Sequence, residues 1–425
     1  MTDDLLDGCW PDVRADLPAA ALTEIAGLAG AADRDGKPST RALALLRELN
    51  WPGLPVPEKF LGGGADLLRC CALQRELGTA DPALAVAVNM HLFSVGLMVE
   101  HWRRRTDTSW LLMEAIATQN RLLASAFAEP NLGGSTSRST LRADRVDKGW
   151  RVSGRKRPCS LAAEADLVCL QVQTATEPSE VLVALLPTTA PGLTVVEDWD
   201  ALGMRGSASH TLVLTDCFIP KELVFYQAPA GSEDDDVFAA GVIWFALTAT
   251  ACYLGLARAA LREAGGLLHR LRIAHLGQSR AELPSYQAAL GDPVAELLTL
   301  EAACADVARR MDAGAAPERL VAAALAVKQQ AVRVVPALVG TLAEACGGTS
   351  YARSLPLERL WRDAQAIRFH PPTPAATRQY LARRALGIPA GLDLDESAPG
   401  LAARTGGTRP AGAGTTREVD TDGAG

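Results

Sequence analysis

An α+β protein, mostly helical, is what the sequence predicts, on three changes of texture along its 425 residues. Residues 12–127 are rich in Ala and Leu at helical spacing. From Ala128 to about Phe225 the chain breaks into short runs rich in β-branched residues, separated by Gly, Pro and Asp. From about Asp235 to Leu386 the helical spacing returns. We therefore divide the chain into an N-terminal helical domain (1–125), a small middle β domain (126–230), a C-terminal helical bundle (231–392) and a tail (393–425).

The first domain is carried by segments such as TRALALLREL, ADLLRCCALQRELG and ALAVAVNMHLFSVGLMVEHW, with WPGLPVPEKFLGGG as a Pro/Gly break between them. The middle domain is carried by GWRVSGRK, ADLVCLQVQ, VLVALLP, LTVVEDW and HTLVLTDCFIP, at strand-and-turn intervals. GVIWFALTATACYLGLARAALREAGGLLHRLR and PVAELLTLEAACADVARRMDAG are long enough to pack as a bundle. The tail has almost no large apolar residue. It cannot offset its ordering entropy, and disorder is expected there. A β domain between two helical ones can form a cleft for a flat ligand.

Composition narrows the function classes. Apolar residues make up 48% and charged residues 21%, with a net charge of −7 and no like-charge block longer than EDDD. These values speak against nucleic acid or an anionic membrane as the main partner. No apolar run is read as reaching the roughly 18 residues needed to span a bilayer. The N-terminus MTDDLLDGCWPD lacks the basic-then-apolar pattern of a secretory signal, so a cytoplasmic location is expected. The nine cysteines are scattered without a C-x-x-C, as in a reducing compartment, and no His/Cys cluster has the spacing of a metal site.

Four segments carry chemistry. In AFAEPNLGGS (126–135), a Gly-Gly loop lets backbone N–H groups approach an anion or a carbonyl edge, although an ordinary β-turn reads the same way. In GWRVSGRKRPCS (149–160), Ser160 offers a hydroxyl, either to a ligand or to its own turn. DWDALGMRGSASHTLVLTDCFIP (198–220) places Met204, Arg205 and Gly206 just before a strand, with Arg205 as a ligand contact or a structural residue. ACGGTSYARSLPLERLWRDAQ (345–365) puts Gly347 and Gly348 at a break between helices.

In this order and spacing the four segments resemble the acyl-CoA dehydrogenase flavoprotein superfamily, over roughly residues 15–390. The resemblance implies a flavin, FAD or FMN, between the β domain and the bundle. It also implies a small-molecule or carrier-bound acyl substrate and a homotetramer. It places Ala128, Glu129, Gly133, Gly134 and Ser135 at the cofactor and Ser160 beside the flavin N5 edge. Arg205 falls toward the substrate, and Gly347 and Gly348 near the adenosine end. Some positions depart from the pattern. Ala128 stands where the family has Thr, Pro158 where it has an aromatic residue, and Ile273 where it has a pyrophosphate Arg, for which neighbouring Arg272 could substitute.

The catalytic acid is the largest departure. Dehydrogenating an acyl thioester needs a carboxylate to take the α-proton while hydride goes to flavin. Counted from Arg362–Asp363–Ala364, the family's Glu position is Pro371; the alternative position falls near Phe245, with no acid from Phe238 to Leu261. His370 sits one residue from the expected base, against the break made by Pro371, Pro372 and Pro374. It is a general base, a hydrogen-bond partner for oxygen activated at the flavin, or a cap on the broken helix. Monooxygenases on the same fold have a histidine here. His91, in VNMHLFS, is a second candidate facing the cleft. The sequence thus supports an acyl-thioester oxidoreductase with His370 as base, with a reduced-flavin monooxygenase using Ser160, His91 and His370 as the alternative. A catalytically silent flavin-binding homologue is the third reading.

Overall fold

Asp81 and Pro82 start the helix around which the chain is built. Asp81 has β-region dihedrals, and its carboxylate accepts from the Ala83 and Leu84 N–H groups at 3.0 and 3.1 Å, while Pro82 occupies the first helical position, where no N–H is needed. In the computed structural model, which describes residues 8–232 and 235–393, this helix is α4 (Pro82–Arg105). Before it come α1 (Ala19–Asp35), α2 (Thr40–Glu48) and α3 (Leu67–Ala80), and after it α5 (Trp110–Thr118). Strands β1 (Leu123–Ala126) to β8 (Val224–Pro229) follow, with β2 at Arg142–Val146, β3 at Gly149–Cys159, β4 at Leu167–Thr174, β5 at Glu180–Pro187, β6 at Leu193–Val196 and β7 at His210–Pro220.

The second helical stretch starts with α6 (Asp236–Arg270), whose cap Asp235 accepts from Val237 and Phe238 N–H at 2.8 and 3.0 Å. A two-stranded ribbon of β9 (Arg272–Ile273) and β10 (Gln278–Ser279) leads to α7 (Pro284–Asp312) and α8 (Pro317–Cys346). The last helices are α9 (Pro356–Ala364) and α10 (Pro374–Ala385). Each of these last four begins with proline at its first position.

Helices α3, α4 and α6 make the core. Two glycines allow α3 and α6 to cross with their backbones in contact. A Cβ on Gly78 would lie 2.3 Å from the Cys252 carbonyl oxygen, and one on Gly255 2.1 Å from that of Arg75. Arg105, at the end of α4, bonds Asp235 and Asp236 at 2.9 and 2.8 Å and ties α4 to the start of α6.

The reading that no segment is long enough to span a bilayer needs correction. By length and composition α4, α6 and the stretch Pro317–Tyr351 all qualify. Isolated polar residues such as Asn89 and His91 interrupt the apolar runs without lowering their mean hydropathy enough. The apolar windows of α4 and α6 are 94% and 89% buried inside the protein, which makes them core helices, whereas that of Pro317–Tyr351 is 44% buried, with its Leu and most of its Val residues inside and Gln330, Arg333 and Ala337 on its exposed side.

The sheet runs β6-β7-β3-β2-β4-β5-β8. β1 and β2 both pair in parallel with the same edge of β4, β1 at Leu167–Leu170 and β2 at Gln173 and Thr174. The chain between them, 127–141, is thereby forced out of the sheet as a loop. That loop contains the Gly-Gly segment, so the strand pairing itself aims it. After α10 the chain returns to the same loop. Leu392 is 2% exposed, and Asp393 accepts from Arg138 Nε at 3.1 Å and Ser137 Oγ at 3.2 Å. Of the tail, residues 394–425 lie outside the described residues.

Candidate active site

A cavity of about 300 Å³ lies between the sheet, helices α4 and α6, and the corner at residues 365–372. Its floor on the sheet side is Ser125, Phe127, Ala128, Pro158, Ser160 and Gln171. Its helical wall is Met90, Phe93, Leu97, Gly241, Val242 and Phe245. Phe93 joins the two sides, with ring centroids 5.3 Å from both Phe127 and Phe245 in edge-to-face geometry. Among the described residues no Asp or Glu lines it. Its lining side chains that can carry charge are Arg362, His370 and Tyr226. Arg362 is matched by Asp33 at 3.0 and 2.7 Å and by Glu358 at 2.8 and 3.0 Å. Burial holds the Tyr226 phenol above its ordinary value, with Asp235 adding to the effect.

The break in the chain puts His370 on this cavity. α9 ends at Ala364, a 3₁₀ turn covers Gln365–Phe369, and His370 is extended before Thr373 caps α10. The His370 ring packs on Phe245 and Tyr253, and its Nε2 is 2.6 Å from the Tyr253 hydroxyl. Beneath the corner, Lys328 donates to the carbonyls of His370 and Pro372, both at 2.8 Å. Burial brings the Lys328 ammonium down to about 7. Burial, followed by the Lys328 charge, pushes His370 down to about 3. His370 is therefore neutral at physiological pH.

Ser160 also faces the cavity, at the head of a hydroxyl chain. Its Oγ is 2.7 Å from Ser209 Oγ, which is 2.8 Å from Ser207 Oγ, and all three side chains are buried. Nearby, Ser135 Oγ and Thr136 Oγ1 are buried without a partner among the described residues. Gly133 and Gly134 turn this loop at φ of 67° and 83°, and a Cβ on Gly134 would meet Thr373 at 2.9 Å. Orphaned hydroxyls beside an open cavity need a ligand. With the flat floor at Ala128 and Pro158, they fit a flavin, and Ser135, Thr136 and Ser160 would hold it.

Three other expectations are corrected, at His91, Glu129 and Arg205. His91 does not reach the cavity. Its Nδ1 accepts from Leu123 N–H at 3.1 Å, so Nε2 carries the proton that it donates to Pro52 O at 2.9 Å. Burial pushes it down to about 4. It staples α4 to β1. We expect His91→Ala to cost about 1–3 kcal/mol for each group left unpaired. Urea unfolding measures that loss, and turnover per folded molecule should not change.

Glu129 points into the β domain, where it pairs with fully buried Lys156 and accepts from Ser139, Thr140 Oγ1 and Thr140 N–H, the last at 2.7 Å. Burial pulls the Lys156 ammonium down, while Lys156 and the hydroxyls outweigh burial at Glu129 and hold its carboxyl low. Arg205 is a clamp, donating to Asp33 O at 2.9 Å and Asp200 at 2.9 Å. Arg272 closes its own ribbon on Gly277 O. Gly347 ends α8 against Arg280, whose guanidinium donates to Ala345 O at 2.8 Å, and neither it nor Gly348 lines this cavity.

Sequence reasoning missed Tyr253, Lys328, Arg362 and Gln365. Tyr253 and Lys328 had a readable signal, Tyr253 as the one large polar side chain in TATACYLGLA and Lys328 as the charge that opens the polar break KQQ in AAALAVKQQAV. The missed partner of the ALGMRG segment is Asp363, whose carboxylate accepts from Met204 N–H. Burial raises the Asp363 carboxyl to about 7.

The chain matches three domains of one family: acyl-CoA dehydrogenase, N-terminal domain over residues 12–104, middle domain over 124–217 and C-terminal domain over 247–373. It is 28% identical over 368 residues to isobutylamine N-hydroxylase of Streptomyces viridifaciens, covering 84% of this chain and 91% of that one. It is 30% identical over 371 residues to the amino sugar nitrososynthase DnmZ of Streptomyces peucetius, covering 84% and 88%. The structure of KijD3 in complex with FMN and dTDP-3-amino-2,3,6-trideoxy-4-keto-3-methyl-D-glucose superposes with a TM-score of 0.80 at 25% identity, over 91% of this chain and 96% of that one. Three domain matches in order, over a helix–sheet–helix fold, lead to one conclusion: the chain belongs to the acyl-CoA dehydrogenase superfamily and is a flavin-dependent oxidoreductase.

Proposed function

We propose that the chain is a reduced-flavin-dependent monooxygenase that hydroxylates a small, largely apolar amine at nitrogen. One observation carries the reading: the cavity is apolar and, among the described residues, no carboxylate lines it. An acyl-thioester dehydrogenase needs a base for the α-proton. His370, held at about 3, is too weak a base for that task. The same acid-free wall suits an amine that must react as a nucleophile, because it disfavours the ammonium form relative to the neutral one. The relatives named N-hydroxylase and nitrososynthase agree with this chemistry.

Bound reduced flavin supplies the two electrons, so that amine, dioxygen and reduced flavin give hydroxylamine, water and oxidised flavin. The residues divide the remaining work. Met90, Phe93, Leu97, Val242 and Phe245 exclude water and hold the alkyl part. The Ser160 hydroxyl, oriented by Ser209, is a donor at the cofactor face. His370 stands opposite as a neutral partner. We also propose a homotetramer of such chains, supported by the small residues Ala322, Ala323, Ala326 and Ala337 on the outer side of α8.

The test supplies photoreduced FMN, dioxygen and a series of short primary amines, and measures hydroxylamine against oxygen consumed. Stoichiometric hydroxylamine is expected. Anaerobic bleaching of the oxidised enzyme's flavin by an acyl-CoA, with no hydroxylamine from any amine, would replace this reading with the dehydrogenase one.

A further inference from the structure

His370 meets the cavity with one ring nitrogen already committed. Nε2 faces the Tyr253 hydroxyl at 2.6 Å, and Nδ1 has no hydrogen-bond partner among the described residues. Two proton arrangements fit that contact. Either Tyr253 donates to a bare Nε2 and the ring proton sits on Nδ1, or Nε2–H donates to the tyrosine oxygen and Nδ1 is bare. The second strands the phenol proton. Tyr253 is fully buried on α6, and His370 is the only hydrogen-bond partner of its hydroxyl among the described residues. A buried donor without an acceptor is costly, whereas the first arrangement satisfies both groups.

The surroundings keep both groups neutral. The neighbours on α6 are Phe245 and Tyr253 itself, on α8 Lys328, and on α9 Arg362 and Asp363. Burial and Lys328 oppose a charged imidazole, and burial together with Cys252 and Asp363 opposes a tyrosinate.

We infer that Tyr253 is a positioning residue that fixes His370 as its Nδ1–H tautomer, so that the cavity meets a neutral N–H donor and not a base. The consequence rests on the monooxygenase reading. A donor is what the oxygen gaining negative charge requires as the O–O bond breaks. A base at that place would have no proton to give.

The tautomer is measurable without turnover. In the full chain labelled with ¹⁵N-histidine, the His370 signal is identified by its loss in His370→Asn. It should show a protonated Nδ1 and a bare Nε2, unchanged between about pH 5 and about pH 8. Tyr253→Phe should give a mixture of tautomers. A His370 ring that titrates in that range, or that carries its proton on Nε2, overturns the inference.

Turnover provides the second arm. An asparagine amide nitrogen stands near the place of Nδ1, and a glutamine's near Nε2. His370→Asn should keep at least ~10-fold more kcat than His370→Ala or His370→Gln. Tyr253→Phe should lower kcat by ~10-fold with KM little changed, but by less than ~2-fold in the His370→Asn background. Equal losses in both backgrounds would mean that Tyr253 is merely structural, and would also overturn the inference. If the wild-type chain hydroxylates no amine, the monooxygenase reading fails, while the spectra still decide the tautomer.

Discussion

Glu129→Ala should destabilise the protein by about 3–5 kcal/mol, because it leaves the Lys156 ammonium buried without its counter-charge. Lys156 and Glu129 side chains are both 0% exposed, so neither water nor salt can take over the lost interaction. Ser139 and Thr140 lose their acceptor at the same time. Denaturant unfolding measures the loss, and flavin affinity should fall only as far as the folded fraction does. Replacing both partners, Glu129→Met with Lys156→Met, should recover most of the stability, since an apolar pair has no charge to strand. A Glu129→Ala protein of normal stability that no longer binds flavin would return Glu129 to the cofactor.

The second large effect is on pH. In an acid-free cavity the substrate binds as the free base, and a primary amine has a pKa close to that of lysine. Between about pH 6 and about pH 9, kcat/KM should therefore rise about tenfold per unit, while kcat stays level. The sign follows from the groups present. His370 has its pKa depressed to about 3, so it is neutral throughout this range and adds no inflection near the ordinary histidine value. Stability linked to this histidine is likewise full above about 6.5, its unfolded value, and is lost as pH falls toward the folded one. A break in kcat near pH 7 would report Lys328 or Asp363, both held at about 7, and one that disappears in His370→Asn would show that His370 titrates during turnover. A kcat/KM independent of pH would show that the ammonium form is bound.

Much of the architecture was legible because it rests on local pattern. Helical stretches were signalled by Ala/Leu spacing and strands by short β-rich runs within Gly/Pro boundaries, whereas the prolines after His370, read as a break, in fact include the start of α10 at Thr373–Pro374. Ala128, Pro158 and Ser160 were placed correctly at the cavity, since a strand end followed by a tight loop has few directions to go. The errors share one physical cause. Glu129, Arg205 and His91 carry groups that suit a ligand, and sequence cannot show whether the partner is a ligand or the protein. Lys156, Asp33 and Pro52, which claim them, lie 27, 172 and 39 residues away along the chain. Tyr253 and Lys328 were passed over for the converse reason. A lone polar residue in an apolar helix reads as tolerated until the element opposite it is known to carry His370.

The return of the chain at Asp393 bears on how anything enters. The bundle already joins the sheet through β8 and α6, and Asp393 fastens it again at Ser137 and Arg138, beside the cavity. Two attachments so far apart in sequence turn a hinge into a frame. For the sheet to swing from the bundle, Leu392 would have to leave its buried place and Asp393 its bonds. Admission then falls to the door rather than the walls. Leu202 and Phe369, both on the cavity lining and 65% and 79% exposed, are free to rotate aside. Rotamer changes of exposed side chains take picoseconds to nanoseconds, about a thousandfold or more faster than domain opening, so entry of a small amine should not be what limits this enzyme.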